Sequence, residues 1–216
     1  LQVGTGSAKG AADALSFVRS ESQRLGLDLA TAADQFGKLT AASKGTALEG
    51  KATRDIFTSV AQAAAALGLS AEQTGGSLLA IQQIISKGTV SSEELRGQLG
   101  ERLPGAFQIA ARAIGVTTQE LDKLLRTGSV TAEQLLPALS RELDKTFGSQ
   151  SEQAAKGLTA QMNRMNTAIF DLKIAVGESG LINFLSSGIE LATKLANALT
   201  GVFGGQKLDP IQKQIS

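Results

Sequence analysis

Apolar residues recur along most of the chain at the spacing that places them on one face of a helix. No run of alternating apolar and polar residues is long enough to predict a β-strand. The pattern predicts an all-α fold: a multi-helix array of short Gly-capped helices, arranged as helical hairpins, followed by a longer heptad-patterned helix pair. The predicted helices cover residues 10–25, 29–44, 51–67, 71–87, 92–102, 105–114, 118–127, 132–147, 152–178 and 181–203.

Helix boundaries are marked by residue types that are known to end or to cap helices. Glycines follow apolar-periodic or Ala-rich segments, where a helix ends in the left-handed conformation: Gly26, Gly45, Gly68, Gly88, Gly115, Gly128 and Gly148. Capping boxes pair Ser or Thr with Glu or Gln three residues later: Ser70/Gln73, Ser91/Glu94, Thr117/Glu120 and Thr131/Gln134. Pro104 is costly inside a helix, so we expect it to open the 105–114 helix at its first turn.

One helix–turn–helix pattern occurs twice, from Ser86 and again from Arg126. Identical residues fall at positions where the turn or the apolar stripe requires a particular type: Gly88/Gly128, Val90/Val130, Glu93/Glu133, Leu95/Leu135, Leu99/Leu139, Leu103/Leu143 and Phe107/Phe147. The pattern predicts two similar units, at 86–107 and 126–147. The alternative is that two helical hairpins look alike because their turn chemistry is generic.

The last third of the chain follows a heptad pattern. The first apolar seam consists of Leu158, Met162, Met165, Ile169, Leu172 and Val176. A second seam begins at Leu181, after Gly177 and Gly180, and its phase is shifted by one residue, which disfavours one continuous supercoil. Two interpretations stay open: a helical hairpin that packs on its own chain, or a self-association seam between chains.

These patterns divide the chain into four predicted parts. They are an N-terminal helical flank of a longer protein (1–25), a compact domain with both similar units (26–150), a heptad-patterned hairpin (151–203) and a flexible tail (204–216).

Composition and charge exclude several function classes. Lys and Arg number 21 against 20 Asp and Glu, without a basic patch, so direct nucleic-acid binding is not expected. The chain contains neither Cys nor His, which removes thiol and imidazole nucleophiles and their metal sites. Glu93 and Glu94 point in different directions on a helix and cannot share a substrate atom. We therefore expect no catalytic residue, cofactor or metal.

The segment Lys87–Phe107, KGTVSSEELRGQLGERLPGAF, resembles the signature of the tape measure domain of tailed-phage and prophage tail-length proteins. The resemblance extends from about Gly26 to Phe147. It implies a structural tail protein that sets tail-tube length and templates tube polymerisation. The residues we expect to define the fold are Gly88, Glu94, Leu95, Gln98, Leu99, Pro104 and Gly105.

The resemblance also implies partners and a location. The partners are the tail tube protein, the tail assembly chaperones and further copies of the chain; the locations are the virion tail lumen and, during assembly, the bacterial cytoplasm.

A continuous helix of 216 residues would span about 320 Å at ~1.5 Å per residue. The glycine stops and caps forbid that geometry, so we expect a compact module attached to a ruler that lies elsewhere in the protein.

Two alternative functions are kept. A muralytic, lytic transglycosylase-like domain is suggested by Glu178-Ser179, but the pair stands between glycines, and the chain has no Tyr or Trp to bind a sugar. The other alternative is a helical adaptor unrelated to phages. Residues 181–203 are apolar but carry Glu190 and Lys194 on one side, so a conditional membrane contact stays open while a spanning helix is not expected.

Overall fold

The computed structural model describes residues 8–172 of the chain. Helices account for most of this part, which confirms the all-α prediction; the finer hairpin and heptad arrangement stays a prediction. The helices are α1 (Ala8–Leu25), α2 (Leu29–Ser43), α3 (Lys51–Ala66), α4 (Ala71–Lys87), α5 (a π-helix, Glu93–Leu99, continued by an α-helical turn, Gly100–Arg102), α6 (Ala106–Ala113), α7 (Thr118–Arg126), α8 (Ala132–Ala154) and α9 (residues 158–172).

Most predicted helix ends are confirmed by the backbone. The capping boxes at Ser70, Thr117 and Thr131 are formed, with both reciprocal hydrogen bonds present. Six of the seven predicted helix-end glycines have a positive φ: Gly26, Gly45, Gly68, Gly88, Gly115 and Gly128.

The predicted helix end at Gly148 is wrong. Gly148 lies inside α8, which runs on to Ala154 instead of ending at residue 147. An ideal Cβ on this glycine would lie 3.2 Å from Asp144 Oδ1, so the residue packs closely in the helix. The break comes later, at Gly157, whose amide donates to the Ala154 carbonyl.

The core is built around α3, which is buried on almost every side. Ala61, Ala63 and Ala64 are fully buried on this helix, and their small side chains let neighbouring helices approach closely. Its contact with α8 is the most extensive between described helices. At its other side, the ring of Phe57 meets Phe36 of α2 and Phe17 of α1, with centroids 5.1 and 5.9 Å away.

The chain divides into two compact units, residues 1–167 and 168–216. In the first unit, α1 contributes Ala14, Val18 and Leu25 to the same core as the later helices. Residues 8–25, predicted as a flank, therefore pack against the domain. In the second unit, residues 168–172 are helical. The second predicted seam, Glu178 and the predicted tail lie outside the described residues.

Candidate functional site

The signature segment, Lys87–Phe107, presents a row of leucines to the core. Leu95, Leu99 and Leu103 are fully buried. The predicted helix over 92–102 is present, but its first part is a π-helix in which the Gly100 amide donates to the Leu95 carbonyl. The wider π turn was not predicted, and it places the adjacent residues Glu94 and Leu95 both in the interior.

The two similar units contact each other through their turns. The Val90 amide donates to the Val130 carbonyl at 2.9 Å, and the Ala132 amide donates to the Gly88 carbonyl at 2.9 Å. An isolated antiparallel bridge joins Thr89 to Thr131 at the same place. Val90 and Val130 are equivalent positions in the two units, so the turns meet at a residue that both units share.

Gly88 makes the first of these turns. It ends α4 in the left-handed conformation, at φ 73°, and its amide donates to the carbonyls of Ile84 and Ile85. A residue with a Cβ would be strained at this φ, because the Cβ approaches the following carbonyl. The glycine thus allows the chain to leave α4 in the direction that pairs the turns.

Glu94 is a buried carboxylate, only 1% exposed. The Lys87 ammonium donates to its Oε1, and the Ser91 hydroxyl donates to its Oε2. The predicted capping box at Ser91 is therefore wrong: the hydroxyl serves the carboxylate, and α5 has no side-chain cap. The reason is burial, because a carboxylate removed from water must find donors among nearby side chains.

The electrostatics of this pair follow from its hydrogen bonds. Burial alone would raise the pKa of Glu94, but the donors Lys87 and Ser91 outweigh it and hold the pKa below its ordinary value. The hydrogen bond that Lys87 donates to Glu94 in turn raises the pKa of Lys87. Both groups are charged at neutral pH, so the pair is an ion pair between the end of α4 and the start of α5.

The remaining signature residues shape the turn after α5. Gln98 is half-buried, and its backbone carbonyl accepts from the Arg102 guanidinium at 2.8 Å. Pro104 is exposed and precedes the N-cap, Gly105, whose φ is 85°. The expectation that Pro104 opens the next helix is wrong, because the chain first reverses through Gly105 and α6 begins at Ala106.

The predicted seam residues of the first unit lie on the open side of α9. Leu158, Met162 and Met165 are 77, 51 and 54% exposed, and we call these three side chains the outer stripe. Leu158 also lines an open cleft of about 310 Å³ together with Leu67 and Leu69. In the second unit Ile169 is exposed and Leu172 half-buried.

The opposite side of α9 is attached to the end of α1. The Arg164 guanidinium donates to the carbonyls of Gln23 at 2.7 Å, Arg24 at 3.1 Å and Ala155 at 2.7 Å. These carbonyls belong to helix ends, where they have no partner inside their own helix and carry partial negative charge. We call this set of hydrogen bonds the Arg164 clamp.

Two neighbouring contacts support the Arg164 clamp. The Asn163 amide donates to the Gly26 carbonyl at 2.8 Å. Gly26 itself has a φ of 70°, and an ideal Cβ built on it would lie 2.2 Å from Ala160 Cβ. The absence of a side chain at Gly26 thus permits the close approach of α9.

Three features were not predicted from the sequence: the pairing of the turns, the burial of Glu94 and the Arg164 clamp. Each of these joins residues through contacts that helical periodicity does not encode. A partial signal was available for the turns, since Val90 and Val130 are identical in the aligned units.

Within residues 8–172, no three His, Cys, Asp or Glu side chains converge in a way that could hold a metal ion. Among the same residues, no helix is both long and apolar enough to cross a membrane.

Comparisons with known proteins agree with the sequence resemblance. A family model described as "Tape measure protein" matches residues 1–178. A probable tape measure protein of Salmonella phage Felix O1 is 32% identical over 183 residues, which cover 85% of this chain and 24% of that relative. The chain therefore spans about a quarter of that relative's length. No solved structure matches the chain.

Proposed function

Because the chain belongs to the tape measure protein family, we propose that the full-length protein sets the length of a phage tail tube and templates its polymerisation. The observation that carries this proposal is the family match over residues 1–178, which includes the whole signature segment. The proposed partners are the tail tube protein and the tail assembly chaperones. The proposed locations are the tail lumen and, during assembly, the bacterial cytoplasm.

Within that protein, this segment acts as a compact module and not as a stretch of the ruler. This proposal is supported by the way the helices fold back on one another. The helices α3 and α8 are distant in sequence but pack side by side. Glycines in the left-handed conformation end successive helices and prevent one continuous rod. The length of the tail would then be measured by other parts of the full-length protein.

The role we infer is structural and not catalytic. Glu94 is the buried carboxylate of the signature segment. It accepts hydrogen bonds from Lys87 and Ser91 and is closed to solvent. A peptidoglycan-release assay on the chain checks this inference, with Glu178→Gln as the comparison. Release of fragments that disappears in the variant would contradict the structural role.

Tail length in assembled virions tests the compact-module proposal. An in-frame duplication of residues 8–167 in the full-length gene would lengthen tails by roughly 240 Å if those residues formed ruler helix at about 1.5 Å per residue. We expect no such lengthening in electron micrographs, because a compact module adds little axial length. Duplication of an equally long helical part of the same protein is the control, and it should lengthen tails by about that amount. Equal lengthening by both duplications would contradict the proposal.

A further inference from the structure

The break between α8 and α9 differs from every earlier break between described helices. Each earlier break contains a glycine in the left-handed conformation, whereas residues 155–157 contain none. A left-handed residue turns the chain out of a helix and cannot belong to one. Ala155, which begins the break, has φ −63° and ψ −9°, close to the helical values of about −63° and −42°. The backbone of this break therefore stays near the helical region.

The hydrogen bonds of the break are those of a tightened helical turn. The Lys156 amide donates to the Gln153 carbonyl at 3.1 Å, and the Gly157 amide donates to the Ala154 carbonyl at 2.9 Å. Each of these bonds reaches three residues back, and such a turn between two helical segments often marks a hinge. No proline lies between Pro137 and residue 167. The sequence therefore permits one continuous helix across the break.

The apolar positions are in phase on the two sides of the break. Leu158, the first residue of the outer stripe, stands 11 residues after Phe147, which is buried on α8. At 3.6 residues per turn, 11 residues make three turns to within about 20°. If the helix were continuous, the outer stripe would extend the apolar face of α8.

The Arg164 clamp keeps the chain bent. The guanidinium donates to the Ala155 carbonyl, which in a continuous helix would accept from the Thr159 amide. Arg164 lies nine residues after Ala155, about 13.5 Å along a straight helix, so this bond forms only while the chain is bent. The same guanidinium also binds the carbonyls at the end of α1. One side chain thus holds both the bend and the attachment to α1.

Detachment of α9 would expose little apolar side-chain surface of this helix. The side chains that it buries in the first unit are small, namely Ala160 and Thr167, and the outer stripe is already exposed. Burial of apolar area is the main term that holds helices together. Polar contacts, chiefly the Arg164 clamp, therefore decide whether this part of α9 stays attached.

We propose that residues 155–157 form a hinge and that Arg164 is its latch. When the Arg164 clamp opens, residues 158–167 leave α1 and continue α8 as one helix. This helix then covers residues 132–167 instead of Ala132–Ala154, and its length grows from about 35 Å to about 54 Å. The inference rests on the geometry of the break and stands whether or not the proposed function holds.

The distance between two spin labels on the 216-residue chain tests the hinge. The chain contains no cysteine, so Lys145→Cys and Asn166→Cys create unique attachment sites at exposed positions on α8 and α9. In one continuous helix these positions are about 32 Å apart, at about 1.5 Å per residue, and in the bent chain they are closer. Pulsed electron paramagnetic resonance measures the distance, with excess unlabelled chain to suppress distances between chains. The labelled parent should give mainly the shorter distance.

Two variants should move the chain towards the straight form. Arg164→Ala removes the latch, so a second, narrow population near 32 Å should appear. Gly157→Ala acts on the hinge, because an ideal Cβ there lies 3.1 Å from the Ala154 carbonyl oxygen in the bent form. Alanine also favours a helix interior over glycine. Added to Arg164→Ala, it should raise the ratio of straight to bent chains about fivefold.

The controls are matched in residue type. Arg141→Ala removes an exposed arginine of α8, and Gly97→Ala adds a Cβ where no atom lies within 4 Å. Neither should change the distance between the labels. Circular dichroism should show that the Arg164 and Gly157 variants keep at least the helical content of the parent, since α9 is expected to detach without unfolding.

Three results would overturn the proposal. The first is an unchanged distance distribution when Arg164→Ala and Gly157→Ala are combined. The second is a broad distribution together with a loss of helical content, which would mean that α9 unfolds and does not continue α8. The third is an equal shift in the two control variants, which would mean that the bend does not depend on Arg164 or Gly157.

Discussion

At the residue scale, the buried carboxylate of Glu94 joins two consecutive helices. It binds Lys87 at the end of α4 and Ser91 in the link before α5. Its pKa in the folded chain is below the ordinary value of 4.5, so the unfolded chain binds the proton more readily. The stabilisation from Glu94 is therefore complete above about pH 4.5 and is lost as the pH falls through the lower, folded pKa.

Glu94→Gln should reveal this contribution. At neutral pH we expect the variant to lose about 1–3 kcal/mol in free energy of unfolding, because hydrogen bonds to a charged group are replaced by weaker ones. In urea melts the difference from the parent should shrink as the pH falls below about 4.5, because the unfolded parent chain then binds a proton that the folded chain does not, and it should vanish once the pH is below the folded pKa. Glu93→Gln is the control: this neighbour is exposed, and its change should have little effect. A pH-independent difference would contradict the ion pair.

Alanine substitutions at Gly26 and Gly45 distinguish the cost of backbone strain from the cost of a steric clash. Both have a positive φ, at 70° and 77°, but only the Cβ of an alanine at Gly26 would collide with Ala160. Gly45→Ala should cost about 1–2 kcal/mol for the left-handed conformation alone. Gly26→Ala should cost more in thermal or urea melts, because α9 must also move away. Equal losses would mean that α9 does not approach Gly26 as described.

At the element scale, α5 supplies buried leucines that connect the signature segment to the core. Leu99 is fully buried, so Leu99→Ala should lower the free energy of unfolding by about 2–5 kcal/mol. Glu72→Ala, at an exposed position of α4, should change it by no more than about 0.5 kcal/mol. Urea melts measure both, and equal midpoints would show that the leucine row is not core.

Helix positions could be predicted from the sequence because their signals are local. Ser70, Thr117 and Thr131 cap helices with the residue three positions later, and no distant contact is needed. The same rule failed at Ser91 because Glu94 is buried, which only the tertiary structure decides. The rule that a glycine ends a helix failed at Gly148, because the sequence alone does not distinguish a glycine packed inside a helix from one that ends it.

At the scale of the whole molecule, the position of α1 is the feature that sequence could not supply. Phe17 lies against Phe36 and Phe57, and Val18 is fully buried, although no local pattern links these helices. The predicted compact domain, residues 26–150, lacks both Phe17 and Val18. Whether it folds alone stays a prediction of the sequence.

Comparison of two fragments tests that prediction. Residues 26–150 should melt cooperatively, because their helices have their own caps and apolar faces, but at a lower urea concentration than residues 8–167. The reason is that the shorter fragment exposes the surface that α1 covers. A non-cooperative melt of 26–150 would mean that the smaller unit is not a domain. Identical midpoints would mean that α1 adds no stability.

Small-angle X-ray scattering of residues 8–167 tests the central claim, that this part of a tape measure protein is a compact helical module. A compact chain of roughly 160 residues has a radius of gyration of about 15 Å. The same residues in one continuous helix, about 240 Å long, would have a radius of gyration of about 70 Å. The fold described here predicts a value close to the compact one. A value near that of the rod would contradict it and would make this segment part of the ruler itself.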